Sequence, residues 1–180
     1  MPAFRNEKFE LQRERNANAY QLLFEIEVIL RELCALKLSA LHGKHWAKRG
    51  LPTDLLDKVK DALAYEKKTK WHRTTLHHPL YYVDFPDLRK IIIGGLNWNP
   101  IFAEIFGQKP GTDASLSELE LLRNKVAHNR FVSDVDLEIT KGIHSKILGS
   151  IPMADLQEIY RAIDEERVPI VSHLTELAGC

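Results

Sequence analysis

Three side chains with complementary chemistry lie close together late in the chain: Arg123, Asn124 and His128. Near neutral pH an imidazole can either accept or donate a proton. A guanidinium is a permanently charged planar group that fits phosphate oxygens, and an amide can orient an imidazole or donate to a phosphate. Cleavage of RNA without a metal needs such groups, because the 2′-hydroxyl must lose a proton, the phosphate must be neutralised and the departing 5′ oxygen must be protonated. The three residues are therefore candidate catalytic groups.

Polar residues around this trio are candidates for a supporting role. Lys125, Asn129 and Arg130 follow closely and can bind an RNA backbone, since phosphate contacts dominate the affinity for nucleic acid. Earlier in the chain, Glu27 and Arg31 are four residues apart on a predicted helix, so they can pair. Either they form an ordinary salt bridge, or Glu27 lies against the catalytic arginine and orients it, with Arg31 in support.

The spacing of Arg123 and His128 sets a geometric condition. On an ideal helix, five steps turn by roughly 500° and rise by about 7.5 Å, so the two side chains point about 140° apart. Asn124 and His128, four residues apart, share a face. We therefore expect His128 at the end of its helix, where the chain turns and the imidazole can swing back toward Arg123.

The pattern Arg-Asn-x-x-x-His-Asn from Arg123 to Asn129 resembles the R-x(4–6)-H signature of the HEPN superfamily (higher eukaryotes and prokaryotes nucleotide-binding), which has a polar residue after the arginine. Within that superfamily the chain is most similar to the Swt-type subgroup. Three blocks carry the resemblance, at 20–33, 81–88 and 119–128, and the whole likeness spans about Tyr20 to Glu138.

The resemblance implies a fold, an activity and a set of partners. HEPN ribonucleases are helical bundles that dimerise, build one cleft from two R-x(4–6)-H motifs and cut RNA without a metal or other cofactor, leaving a 2′,3′-cyclic phosphate. Two copies across a two-fold axis also supply the second histidine that acid and base roles require. This chain would then be a homodimeric endoribonuclease acting on single-stranded RNA, such as a toxin or a phage-defence effector. Swt-type segments are usually attached to an effector, so an antitoxin or effector-domain partner is also implied, although no second domain is recognisable here.

Other interpretations of the same residues stay open. An arginine and a histidine at a helix C-terminus can simply complement the helix dipole and bond the last carbonyls. The domain can equally be a non-catalytic HEPN module for dimerisation or recognition, binding RNA, a nucleotide or a protein partner. Its charge is consistent with that option, because 25 basic residues balance 25 acidic ones and no net basic field points to nucleic acid.

Length and composition predict a single, ordinary globular domain. The chain has 180 residues, 44% of them hydrophobic and 28% charged, which is enough to bury a core. The two cysteines, Cys34 and Cys180, have no spacing typical of a metal site or a disulfide framework, and this favours a cytoplasmic protein. The N-terminus has no apolar signal core and no run is long enough to cross a membrane, so no membrane partner is expected.

The hydrophobic periodicity predicts an all-α, HEPN-like bundle with extra short helices. A charged extension covers residues 1–16, either helical or loose, and the helical domain covers 17–180. The most apolar stretch predicts a central helix from Asn18 to about Leu41, ended by Gly43. Further helices are predicted at 54–70, 84–93 (starting at either Asp84 or Pro86), 100–106, 113–128, 134–148, 153–166 and 173–178, with a loop at 107–111 and a kink or helix end at Pro169.

Two polar regions invite functional interpretations that the sequence supports only weakly. The basic loop from Lys44 to Gly50 holds Trp46, which either helps to cradle RNA or, as we favour, fills the core. His72, His77 and His78 cluster in an irregular region without a carboxylate or cysteine pattern, so we expect no metal site there.

Overall fold

The computed structural model describes residues 6–68 and 78–164, and within these ranges the chain is all-α, with no strand. His72 and His77 lie outside the described residues, as do the predicted kink at Pro169 and the helix predicted at 173–178. The all-α prediction is confirmed. Its physical basis is that apolar residues recur at helical rather than alternating spacing along most of the sequence.

A single long helix, α1, runs from Glu7 to His42 and organises the molecule. Asn6 caps its start by accepting from the Lys8 N–H, and Gly43 ends it with a φ of 63°, as predicted for a helix C-terminus. The helix begins well before Asn18, so the described part of the charged extension is helical and continuous with the central helix. The proposed domain boundary at residue 16 therefore falls inside α1.

Shorter helices follow α1 in the described parts of the chain. A 3-10 turn covers Pro79–Tyr82, and a π-helical turn covers Trp98–Phe102. The α-helices are α2 (Trp46–Gly50), α3 (Thr53–Lys68), α4 (Phe85–Ile93), α5 (Ala103–Phe106), α6 (Lys109–Ala127), α7 (Asp134–Ser150) and α8 (Met153–Asp164). The helices predicted at 84–93 and 134–148 are confirmed, with reciprocal capping boxes at Asp84 and Ser133.

Three local predictions are wrong. The segment predicted as a basic loop is a 3-10 turn, Gly43–His45, followed by α2, because Trp46 and Ala47 pack into the core. As we favoured, Trp46 fills that core. The helix predicted to open at Pro100 begins as the π-helical turn at Trp98, after Asn97, whose buried amide donates to the carbonyls of Gly50 and Ile91.

The third correction concerns the start of the helix that carries the candidate catalytic residues. It begins at Lys109, not Asp113, and the predicted loop at 107–111 shrinks to the link between α5 and α6. Pro110 is tolerated because N–H groups in the first turn of a helix have no helical partner to lose. Ser115 lies inside the helix, where its hydroxyl donates to the Gly111 carbonyl.

The core forms around one face of α1, which contacts α2, α4, α6, α7 and α8. Its buried residues recur at three- and four-residue spacing, as expected for a central helix: Ala19, Leu23, Ile26, Ile29, Leu30, Leu33, Cys34 and Leu38. Burial raises the pKa of the Cys34 thiol, which is therefore an inert apolar side chain rather than a reactive one. None of the helices in the described ranges combines the length and the apolarity needed to cross a bilayer.

The arrangement of α1 and α6 positions the candidate site. Glu27 of α1 lies against Arg123 of α6, whereas eight residues earlier Ala19 belongs to a small apolar cluster against which Val126 packs. Residue numbers thus fall along α1 as they rise along α6, so the two helices are antiparallel. The end of α6 that carries His128 runs beside the N-terminal half of α1.

Candidate nucleic-acid interface at the end of α6

The end of α6 is a Schellman motif, in which two backbone hydrogen bonds close the last turn. The Arg130 N–H donates to the Lys125 carbonyl at 2.9 Å, and the Asn129 N–H donates to the Val126 carbonyl at 2.9 Å. Asn129 takes the left-handed conformation that this motif requires, with a φ of 54°. Predicted as an RNA-binding residue, Asn129 thus has a structural role in reversing the chain direction.

His128 is the C-cap residue of α6, and its side chain is exposed. The predicted position at a helix end is confirmed. Its backbone N–H donates to the Asn124 carbonyl at 3.1 Å, so the preceding five residues keep their helical geometry and the 140° offset from Arg123 largely persists. The described residues include no hydrogen bond or ion pair between Arg123 and His128. In one chain, the imidazole does not fold back onto the guanidinium.

Arg123 is held at the molecular surface by Glu27. The Nε atom of Arg123 lies 3.8 Å from Oε2 of Glu27, and 36% of the arginine side chain is exposed, against 14% for the glutamate. Glu27 also pairs through Oε1 with Arg31. Glu27 thus makes both of the contacts that the sequence offered as alternatives, a salt bridge with Arg31 and a contact with Arg123. Two positive charges share one negative charge, and the surplus lies at Arg123, the more exposed of the two arginines.

Arg31 anchors this chain of contacts in the fold. Its Nε donates to the Leu80 carbonyl and its Nη2 to the Val83 carbonyl, each at 3.0 Å, and its guanidinium lies 5.5 Å from the ring centre of Tyr81. These bonds occupy the donors that face the 3-10 turn before α4. Arg31 and Glu27 are therefore positioning residues. The turn fixes Arg31, Arg31 pairs with Glu27, and Glu27 in turn contacts Arg123.

Next to Arg31, the carboxylate of Glu32 contacts polar side chains at the same turn. The Tyr81 hydroxyl donates to Oε1 of Glu32 at 2.7 Å, and His78 Nε2 lies 3.2 Å from the same oxygen. Burial, the hydrogen bond to Glu32 and its negative charge all raise the pKa of Tyr81. His78 is thus a buried, paired residue. In the part of the chain that the structure describes, no group of three or more potential ligands could hold a metal ion.

The flanking residues proposed for RNA binding differ in availability. The Lys125 ammonium donates to Oδ2 of Asp136 at 2.6 Å, so it links α6 to the first turn of α7. Burial alone would raise the pKa of Asp136, but hydrogen bonds from Lys125 and Ser133 outweigh it and hold that pKa below its usual value. Arg130 is exposed, and its guanidinium has no ion pair with any described residue. It can reach a phosphate, whereas Lys125 is engaged within the fold.

Two residues that the sequence did not single out hold the turn after His128. The Asn16 side chain donates to the Arg130 carbonyl at 2.8 Å and accepts from the Val132 N–H at 3.1 Å, and Gln12 donates to the Val132 carbonyl at 2.7 Å. We call Gln12 and Asn16 the α1 clamp. Polar residues four apart on a helix were the only sequence signal, and that signal is typical of any exposed face.

No protein-family model, curated protein or solved structure matches this chain.

Proposed function

We propose that this chain is a metal-independent endoribonuclease of HEPN type, acting on single-stranded RNA through a site shared by two copies of the chain. The observation that carries the proposal is the surface-held Arg123, with surplus positive charge, five residues before an exposed His128 on the same helix. The proposed setting is the cytoplasm, in a role such as toxin or phage-defence effector, with an antitoxin or effector domain as a further partner.

In the proposed reaction, His128 accepts the proton of the 2′-hydroxyl as that oxygen attacks the phosphorus. The bond from phosphorus to the 5′ oxygen breaks, and the imidazolium of the second copy donates a proton to the leaving oxygen. Arg123 stabilises the charge that develops on the phosphate oxygens. The products are a 2′,3′-cyclic phosphate and a 5′-hydroxyl. Asn124, which is half-buried and four residues before His128, orients the imidazole or donates to the phosphate, and Arg130 binds the strand beyond.

The separation of Arg123 and His128 within one chain supports a shared site. With side chains about 140° apart on one helix, one copy does not offer both groups to the same phosphate. Two copies facing each other can place the arginine of one beside the histidine of the other. A homodimer is thus part of the proposal.

The test is cleavage of a labelled single-stranded RNA in EDTA. We expect His128→Ala to slow cleavage by roughly 100-fold or more, since general acid–base catalysis contributes on that scale, and Arg123→Ala to lose a comparable amount. A strand with a 2′-deoxynucleotide at the cut should be inert. Arg13→Ala is the matched control, because it removes an exposed arginine paired only to Glu10 on the same helix turn.

A mixing experiment examines the shared site. Neither variant homodimer has both groups, but a mixed dimer of Arg123→Ala and His128→Ala retains one arginine and one histidine. Partial recovery of cleavage on mixing is expected. Full activity of both single variants, with dimers and folding intact, would remove the ribonuclease proposal.

The alternative is a non-catalytic module that recognises RNA, a nucleotide or a protein partner, and it is favoured by the balance of 25 basic against 25 acidic residues, which leaves no net basic field for nucleic acid. RNA binding without cleavage by the wild-type dimer would select it.

A further inference from the structure

An exposed aromatic pair lies on α1 close to Arg123. The rings of Tyr20 and Phe24 stack on each other with centroids 6.1 Å apart and planes inclined by 29°. The side chains are 58% and 57% exposed, although large aromatic residues are usually buried. No helix of the described ranges covers them, so they form an aromatic surface that faces solvent.

The pair lies on the same side of α1 as the positioning residue Glu27. Seven residues separate Tyr20 from Glu27 and three separate Phe24 from it, so all three side chains point within about 60° of one another. Along the helix axis, the two aromatic residues are about 10 Å and 4.5 Å from Glu27. Since Glu27 contacts Arg123, the aromatic surface begins one turn from the guanidinium that we assign to the phosphate.

These distances suit consecutive nucleotides of a single strand. Bases in a stacked strand are about 3.4 Å apart, so a strand whose phosphate lies at Arg123 carries its next one to three bases past Phe24 and Tyr20. Unpaired bases stack on aromatic side chains whatever their sequence, because every base has a flat face. The surplus positive charge at Arg123 is complementary to the backbone of the same strand.

We infer that Tyr20 and Phe24 are a base-stacking subsite for single-stranded RNA, adjoining the phosphate site at Arg123. This inference rests on the proposed function and names the part of the substrate that the protein recognises. A second copy of the chain is the less suitable occupant. Two half-exposed rings offer roughly 300 Å² at most, well below the roughly 800 Å² that each partner contributes to a stable protein interface.

The test measures the affinity for a short, unstructured, fluorescently labelled RNA by anisotropy, in EDTA and in the His128→Ala background so that the strand is not cut. Adding Tyr20→Ala or Phe24→Ala should weaken binding by about tenfold each. Phe24→Trp should bind as tightly as the parent, which is the His128→Ala protein with both aromatic residues intact. Phe24→Leu, which keeps an apolar side chain without a ring, should bind as weakly as Phe24→Ala.

Phe9→Ala is the matched control. Phe9 lies on the same helix with 56% exposure, but about 22 Å from Phe24 along the axis, so its removal should leave the affinity unchanged. A second arm replaces the RNA by a strand with abasic nucleotides and an intact backbone. The parent should bind that strand about 100-fold more weakly than normal RNA, since both stacking contacts are lost, and the Tyr20→Ala/Phe24→Ala double variant should no longer distinguish the two.

Three outcomes would overturn the inference. If the parent binds RNA and the aromatic variants bind it equally well, the stacking subsite is wrong while the proposed function stands. Parent protein that binds no RNA would remove the proposed function and the subsite together. If Phe24→Leu retains full RNA affinity while Phe24→Ala is monomeric in analytical ultracentrifugation, the pair belongs to a protein interface instead.

Discussion

At the scale of single residues, Asn129 shows how a side chain proposed for ligand binding can be required by the backbone. Its φ of 54° is available to glycine at no cost and to asparagine at a small one, but it is unfavourable for a β-branched residue. The sequence contained this signal, since an asparagine directly after an amphipathic helix is a common C′ residue. The availability of Arg130 and the engagement of Lys125 could not be predicted, because they depend on Asp136 of another helix.

Substitutions at Asn129 should therefore change stability according to backbone conformation. We expect Asn129→Gly to be as stable as the wild type or more stable, and Asn129→Val to lower the free energy of unfolding by about 1–2 kcal/mol. Urea denaturation followed by circular dichroism measures both. Asn18→Val is the control, because Asn18 is exposed within α1, where valine accepts the helical backbone. Equal losses in the two valine variants would mean that the left-handed conformation is not the cause.

At the scale of elements, the central helix and the all-α class could be predicted because hydrophobic periodicity is a local property of the sequence. The α1 clamp could not, since Asn16 and its partners Arg130 and Val132 are more than 110 residues apart in sequence. The same limit applies to the Glu27–Arg123 contact, which we foresaw only as one of two alternatives. Periodicity shows which face of a helix is buried, but not which helix covers it.

Loss of the clamp should loosen the turn that follows His128. Asn16→Ala removes a donor and an acceptor, so we expect a loss of about 1–3 kcal/mol in the free energy of unfolding, from two hydrogen bonds. Asn16→Asp keeps the acceptor for the Val132 N–H but cannot donate to the Arg130 carbonyl, and its loss should be smaller. Urea unfolding of Asn18→Ala, an exposed asparagine nearby without such bonds, is the comparison. A clamp variant no less stable than that control would contradict the assignment.

At the scale of the whole molecule, ion pairs of acidic residues link neighbouring helices and make the free energy of unfolding depend on pH. Burial acts to raise the pKa of Asp84 and Asp136, but hydrogen bonds from Lys58 and Lys125, with those from neighbouring backbone N–H groups, lower both pKa values below 3.8. A depressed carboxyl pKa means that the folded state binds protons less readily than the unfolded state. The stabilisation is complete above the ordinary value and is lost as the pH falls through the lower, folded value.

We therefore expect the free energy of unfolding, measured in urea, to be nearly constant from pH 7 to about pH 5 and to fall steeply below about pH 4. Asp136→Asn should lower stability at pH 7 and flatten the acid limb, since its amide no longer titrates and cannot pair with the Lys125 ammonium. Glu138→Gln is a suitable control, because that carboxylate is exposed on the same helix and pairs only with Lys141 at the surface. An unchanged acid limb in Asp136→Asn would contradict the role of this pair.

One continuous helix fastens both ends of the candidate site. Glu27, in the middle of α1, holds Arg123, and Asn16, about 16 Å nearer its start, holds the turn that follows His128. The last turns of α6 and the turn that follows them are thus fixed to one continuous helix at two points. In the proposed shared site, the arginine and the histidine of one copy would therefore keep the spacing that α6 gives them, and only the approach of a second copy would bring both groups to one phosphate.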